Sequence, residues 1–119
     1  MILVIGGHAS GKRAYVEQLG YGPADFCCGP EEQGPVAYGI QDWVAKDPAG
    51  AMDLLPALLE KQVVVCDEVG CGVVPVEPAQ RAHREAVGRL CCRLAERAER
   101  VERIFCGLPM VLKGEGPWN

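Results

Sequence analysis

Aromatic residues are scarce, at 6% of this 119-residue chain, and histidine occurs only twice. With two histidines and no Cys-x-x-Cys pair, the sequence has no spaced ligand set for a structural zinc, although it holds seven cysteines. These stand at Cys27-Cys28, Cys66, Cys71, Cys91-Cys92 and Cys106. An odd number placed inside apolar segments predicts buried free thiols rather than disulfides. No apolar run approaches the roughly 20 residues of a membrane span. Met1 leads straight into an apolar stretch without the basic segment of a secretory signal. The expectation is a cytoplasmic protein with no membrane attachment. Positive charge is not in excess either. Twelve Lys and Arg against 16 Asp and Glu give −4, which removes the electrostatic case for a nucleic-acid partner. Hydrophobic content of 49% with 24% charged residues excludes disorder, and the length predicts one domain over residues 1–119.

What is present begins at the amino terminus. Met1-Ile2-Leu3-Val4-Ile5 is short, apolar and rich in β-branched residues, the composition of a buried parallel strand. Gly6-Gly7-His8-Ala9-Ser10-Gly11-Lys12 follows at once, and Arg13 to Leu19 has helical spacing. Strand, glycine-rich turn and helix in this order are the setting in which G-x-x-x-x-G-K binds phosphate. Amides of the turn point inward, the helix start carries partial positive charge, and the lysine neutralises the outer phosphates. Lys12 is therefore the candidate catalytic residue; Gly6, Gly7, His8, Ala9, Ser10, Gly11 and Arg13 are candidate nucleotide contacts. The motif ordinarily ends in Ser or Thr, whose hydroxyl holds Mg²⁺, and here that residue is Arg13. A guanidinium ligates no cation. Either Arg13 points away and another group holds the metal, or the site binds an anion without Mg²⁺.

Along the chain, Gly20-Tyr21-Gly22-Pro23 stops the first helix, Ala24 to Cys28 is a short strand, and Gly29 to Pro35 is a loop. Val36 to Ile40 predicts a further strand. Gln41 to about Lys46 predicts a short helix, and 51 to 60 a better one, with Pro48-Ala49-Gly50 between them. Gln62 to Cys66 is the clearest interior strand, and the glycine-punctuated stretch Asp67 to Pro75 follows at its carboxyl end, where open α/β sheets bind ligands. Pro78 to Arg100 predicts a helix with Ala82, Ala86, Val87, Leu90, Leu94 and Ala98 on its core face and i,i+4 pairs Glu85–Arg89 and Glu96–Arg100 outside. Val101 to Cys106 and an edge strand Leu108 to Lys113 close the sheet, ahead of a frayed tail. The alternation predicts an α/β protein with a mostly parallel central sheet.

Three segments together resemble the adenosylcobinamide kinase/adenosylcobinamide-phosphate guanylyltransferase family. Ile2 to Lys12 is similar to its I-L-V-T-G-G-x-R-S-G-K-S. Val64 to Pro75, reading V-V-C-D-E-V-G-C-G-V-V-P, is similar to its V-x-N-E-V-G-x-G-I-V-P. Arg81 to Ala95 is similar to R-x-F-R-D-x-x-G-x-x-N-Q-x-L-A. The resemblance implies a three-layer P-loop NTPase-like fold and GTP or ATP as the bound nucleotide. It also implies phosphorylation of a cobinamide-like corrinoid, then guanylyl transfer through a histidine, in a homo-oligomer.

Measured against that pattern the chemistry is depleted. The family's D-C-L-T-x-W best matches Tyr38 to Trp43, which puts Tyr38 in place of an acid. A phenol does not replace a carboxylate as a magnesium ligand at neutral pH. The interval that would carry the transferring histidine is reduced to Gly29–Pro35, without His, Lys or Arg. Asp67 replaces an Asn and Cys91-Cys92 an Asn-Gln pair. Glu68 is the surviving candidate for a polar ligand contact, or else a carboxylate held by loop amides. His8 is a phosphate contact or an exposed loop side chain, and His83 a packing residue. Two functions follow from the resemblance: a reduced kinase without the guanylyl step, or a non-catalytic nucleotide- or corrinoid-binding regulator.

Overall fold

A computed structural model describes residues 1–68 and 77–114. Its elements run β1 (Ile2–Gly6), α1 (Lys12–Gln18), β2 (Phe26–Cys27), β3 (Val36–Tyr38), α2 (Ile40–Lys46), α3 (Leu55–Leu59), β4 (Val63–Asp67), α4 (Pro78–Arg97), β5 (Arg100–Phe105) and β6 (Leu108–Lys113). The strands form one sheet in the order β2-β3-β4-β1-β5-β6, parallel throughout except for β6. This is the expected P-loop NTPase-like α/β architecture.

The interior strands alternate their side chains between two packed layers, as the two-residue period requires. Leu3, Val64, Cys66 and Val101 face a core completed by Ile40 and Val44 of α2, Leu58 of α3 and Val87, Leu90 and Leu94 of α4. Val4, Val63, Val65 and Ile104 face the other way, onto Tyr15 and Val16 of α1. Helices therefore cover both faces and the sheet is the middle layer. Because β1 leads through α1 to the far edge while β4 leads through α4 across β1 to β5, connections diverge at the carboxyl ends of β1 and β4. A crevice at such a divergence is where this architecture holds ligands.

Several boundaries differ from the sequence reading for local reasons. Ile40 starts a helix rather than ending a strand, because Gly39 takes φ 70° and turns the chain at Tyr38. The expected helix over 51–60 is split: a 3-10 helix, Pro48–Leu54, capped by the Asp47 carboxylate on the Gly50 amide, runs into the α-helix Leu55–Leu59. Ala24 and Asp25 belong to a 3-10 turn rather than to β2. The last long helix ends at Arg97, so the expected Glu96–Arg100 pair is not made: Arg93 takes Glu96, and Arg100, now in β5, takes Glu102. Ala82 is exposed rather than on the core face. Among the described residues only Cys27 and Cys66 are buried; Cys28, Cys92 and Cys106 are exposed, because they fall at turns and on the outer side of α4. The expected loop from Asp67 to Pro75 lies largely outside the described residues, as does the tail.

One buried polar cluster ties β5 to α1. Glu102 is fully buried, accepts a hydrogen bond from the Tyr15 hydroxyl and has Arg100 Nε 3.3 Å away. Burial, then the hydrogen bond to the Glu102 carboxylate, pushes the Tyr15 hydroxyl well above its ordinary value of 10. A raised pKa in the fold means that the unfolded chain releases this proton first, so stability is lost as pH rises past about 10. Tyr15→Phe should cost about 1–3 kcal/mol at neutral pH, since Glu102 loses its donor. It should also flatten the alkaline decline in urea denaturation, and equal alkaline slopes for both proteins would contradict the account.

Candidate functional site

The turn Gly7–Gly11 leaves β1 at the crevice and enters α1 at Lys12. It is shaped by contacts at its base. A Cβ on Gly6 would come 2.7 Å from the Ile104 carbonyl oxygen. Gly11 has φ 96°, and a Cβ there would lie 2.9 Å from Gly107 Cα. Gly107, in the β5–β6 turn, donates its amide to the Ser10 carbonyl at 2.8 Å, so the hairpin props the turn from below. Ala9 also takes a left-handed conformation, φ 58°, and alternation of this sort lets successive amides converge on one point. Since α1 has only seven residues, its dipole adds little beyond those amides.

Lys12 is 4% exposed and its side chain folds back over the turn. Its Nζ donates to the Gly7 carbonyl at 2.5 Å, stands 3.4 Å from Ser10 Oγ, and pairs with Asp67 Oδ1 at 2.8 Å. Asp67 comes from the end of β4, in register with Gly6 of β1. Its other oxygen is 3.6 Å from His8 Nδ1, and its amide donates to the Gln41 side chain at 3.0 Å. His83 of α4 contacts the Gln41 carbonyl oxygen at 2.7 Å, so the expected packing role becomes a buttress of that segment. A cleft of about 690 Å³ opens above, lined by His8, Lys12, Arg13, Tyr38, Asp42 and Asp67 among others. That volume is within the range of small-ligand sites.

Arg13 leaves the turn sideways. Its guanidinium carbon lies 4.4 Å from the centre of the Phe26 ring and 5.5 Å from that of Tyr38, and its Nε is 3.8 Å from Glu17. Phe26 and Tyr38 meet edge to face at 5.5 Å. Glu68 stands apart from the cleft lining: its carboxylate faces Arg103, Oε1 2.8 Å from Nε and Oε2 3.1 Å from a terminal nitrogen, while its amide donates to the Gly6 carbonyl. Thus the candidate residues His8, Ala9, Ser10, Gly11, Lys12 and Arg13 gather around one cleft, and Glu68 braces β5 beside it.

Two acidic residues escaped the sequence reading. Asp67 enters the sequence analysis as a replaced Asn at the head of the glycine-punctuated stretch, and Asp42 only inside the Tyr38–Trp43 match. A signal for Asp67 existed: an apolar strand, Val63–Cys66, that ends in an acid beside the phosphate-loop strand.

A family model described as cobinamide kinase / cobinamide phosphate guanyltransferase matches residues 32–112. The chain belongs to this family. The matched stretch contains Tyr38, Asp42, Asp67 and Glu68, and the glycine turn precedes it. Over 64 residues the chain is 41% identical to the bifunctional adenosylcobalamin biosynthesis protein CobP of Pseudomonas aeruginosa. That alignment covers 54% of this chain and 37% of the relative's length. Among the described residues no helix is long and apolar enough to cross a membrane.

The two glycines of the turn make a paired test of its geometry. Gly11→Ala should destabilise the protein by at least about 1–2 kcal/mol, through left-handed strain and the clash with Gly107. Gly7→Ala, whose Cβ would meet nothing within 4 Å, should stay within about 0.5 kcal/mol. Equal costs in urea denaturation would mean that the turn is not held this way.

Proposed function

We propose that this chain binds the polyphosphate of GTP or ATP in the turn Gly6–Lys12 and is a reduced member of its family that phosphorylates a cobinamide-like alcohol. One observation carries the reading: Lys12 closes the turn from inside, nine-tenths buried, with its ammonium at the floor of an open cleft. A buried ammonium needs a compensating anion within reach, and here Asp67 supplies it. An incoming phosphate offers Lys12 a second anionic partner, and the converging turn amides offer it donors. In phosphoryl transfer such groups act by positioning and by neutralising charge as it moves onto the leaving oxygens. His8 and Ser10, at the rim, would contact the same phosphates.

Guanylyl transfer is not part of the proposal. The segment joining β2 to β3 holds no histidine, and its seven residues Gly29–Pro35 are pinned by Lys61 on the Gly34 carbonyl and by Glu32 on the Cys28 amide. A second reading, a nucleotide- or corrinoid-binding regulator without turnover, is favoured by Arg13 and Tyr38, which replace a metal-binding hydroxyl and an acid. Both readings put the protein in the cytoplasm as one domain, and a homo-oligomer is the assembly that the family resemblance implies.

Phosphate transfer from labelled GTP or ATP to cobinamide separates the readings: labelled product supports the kinase, and saturable binding without product supports the regulator. Under either, Lys12→Met, which keeps the buried stem, should weaken nucleotide binding at least about tenfold in calorimetric titration. An unchanged dissociation constant would remove the turn from the account.

A further inference from the structure

Resting on that phosphate-site reading, the donor set around the turn bears on which form of the nucleotide it takes. Phosphate loops of this type hold Mg²⁺ through the hydroxyl after the lysine together with a nearby acid. Here the residue after Lys12 is Arg13, with five donors and no acceptor. Tyr38 stands where the family resemblance puts an acid, and its ring carries the Arg13 guanidinium. Asp67, the carboxylate that meets Lys12, has one oxygen 2.8 Å from that ammonium and the other 3.6 Å from His8. Among the described residues no group of three His, Cys, Asp or Glu could hold a metal ion. These donors do not fit a magnesium-centred site.

We infer that the site takes its polyphosphate without a metal, and that Arg13, braced on the rings of Phe26 and Tyr38, is the cation that stands in its place. The two replacements are physically coupled. A carboxylate at position 38 would draw the guanidinium into an ion pair and cancel its charge, whereas an aromatic ring holds the cation and leaves it charged. Stacked on Phe26 at 4.4 Å and half-exposed at the cleft wall, Arg13 keeps its edge donors available. A planar fork fixed in advance matches phosphate oxygens two at a time and loses little freedom on binding. Glu17, 3.8 Å from Nε and itself half-exposed, competes weakly.

Calorimetric titration of the full chain with GTP, once in EDTA and once in excess Mg²⁺, tests this. The expected result is binding in EDTA that Mg²⁺ improves by less than about tenfold, and Arg13→Ser that weakens the EDTA affinity at least about tenfold. A wild-type gain of more than about tenfold on adding Mg²⁺ overturns the inference and gives the metal to Asp67. So does Arg13→Ser binding GTP in EDTA as tightly as wild type, with an unchanged circular dichroism spectrum. Metal-dependent binding that Lys12→Met abolishes would remove this inference alone. Absence of binding in both buffers would remove the phosphate site itself and the inference with it.

Discussion

A buried ammonium is the constraint on which the rest of this molecule turns. Lys12 is 4% exposed, and a charge so deep needs compensation within hydrogen-bond reach. It finds Gly7 at the end of β1, Ser10 inside the turn and Asp67 at the end of β4. That single atom therefore joins two adjacent strands and the start of α1, at the point where the connections diverge. Parallel pairing of β1 with β4, Gly6 opposite Asp67, sets the distance that the pair needs. A one-residue slip in that register would place Cys66 opposite Gly6 and turn the acid to the other face.

The same logic separates the turn from the nearby wall. Glycines at 6 and 11 are fixed by backbone that no side chain can share, namely the Ile104 carbonyl and Gly107 Cα. Arg13 and Tyr38 are under no such constraint. They sit on the open side, and one cation over two rings is a self-consistent arrangement worth about 0.5–1 kcal/mol at an exposed site. Changes there leave β1, β4 and α1 where they were.

Much of the fold was legible because its signals are local. Val63–Cys66 and Ile2–Ile5 are apolar runs too short for helices, and Leu90 and Leu94 mark the core face of α4 at a spacing of four. The less legible parts depend on tertiary contact. Nothing in Pro48–Leu54 distinguishes a 3-10 from an α-helix until Asp47 caps Gly50 and the segment packs on α4. At the site, the turn and Lys12 were readable from spacing. The stacking of Arg13 on Phe26 was not, since these residues are thirteen apart in sequence and meet only once β2 lies beside β3. The pairing of Glu68 with Arg103 was not legible for a similar reason: Arg103 lies 35 residues away on β5.

The short link between β2 and β3 and the glycine turn contribute to the scaffold very unequally. Only two residue pairs, Phe26 with Val36 and Cys27 with Ala37, join these strands, so the connection between them contributes little to the sheet. Lys61 then anchors the loop through the Gly34 carbonyl, and Gln62 and Val63 donate to the Pro35 carbonyl, closing the gap with backbone and one side chain. A longer segment in that place would add little to the core. The glycine turn is the opposite case: it lies between central strands, carries a buried charge and is propped by the β5–β6 hairpin, so its loss would cost fold and site together.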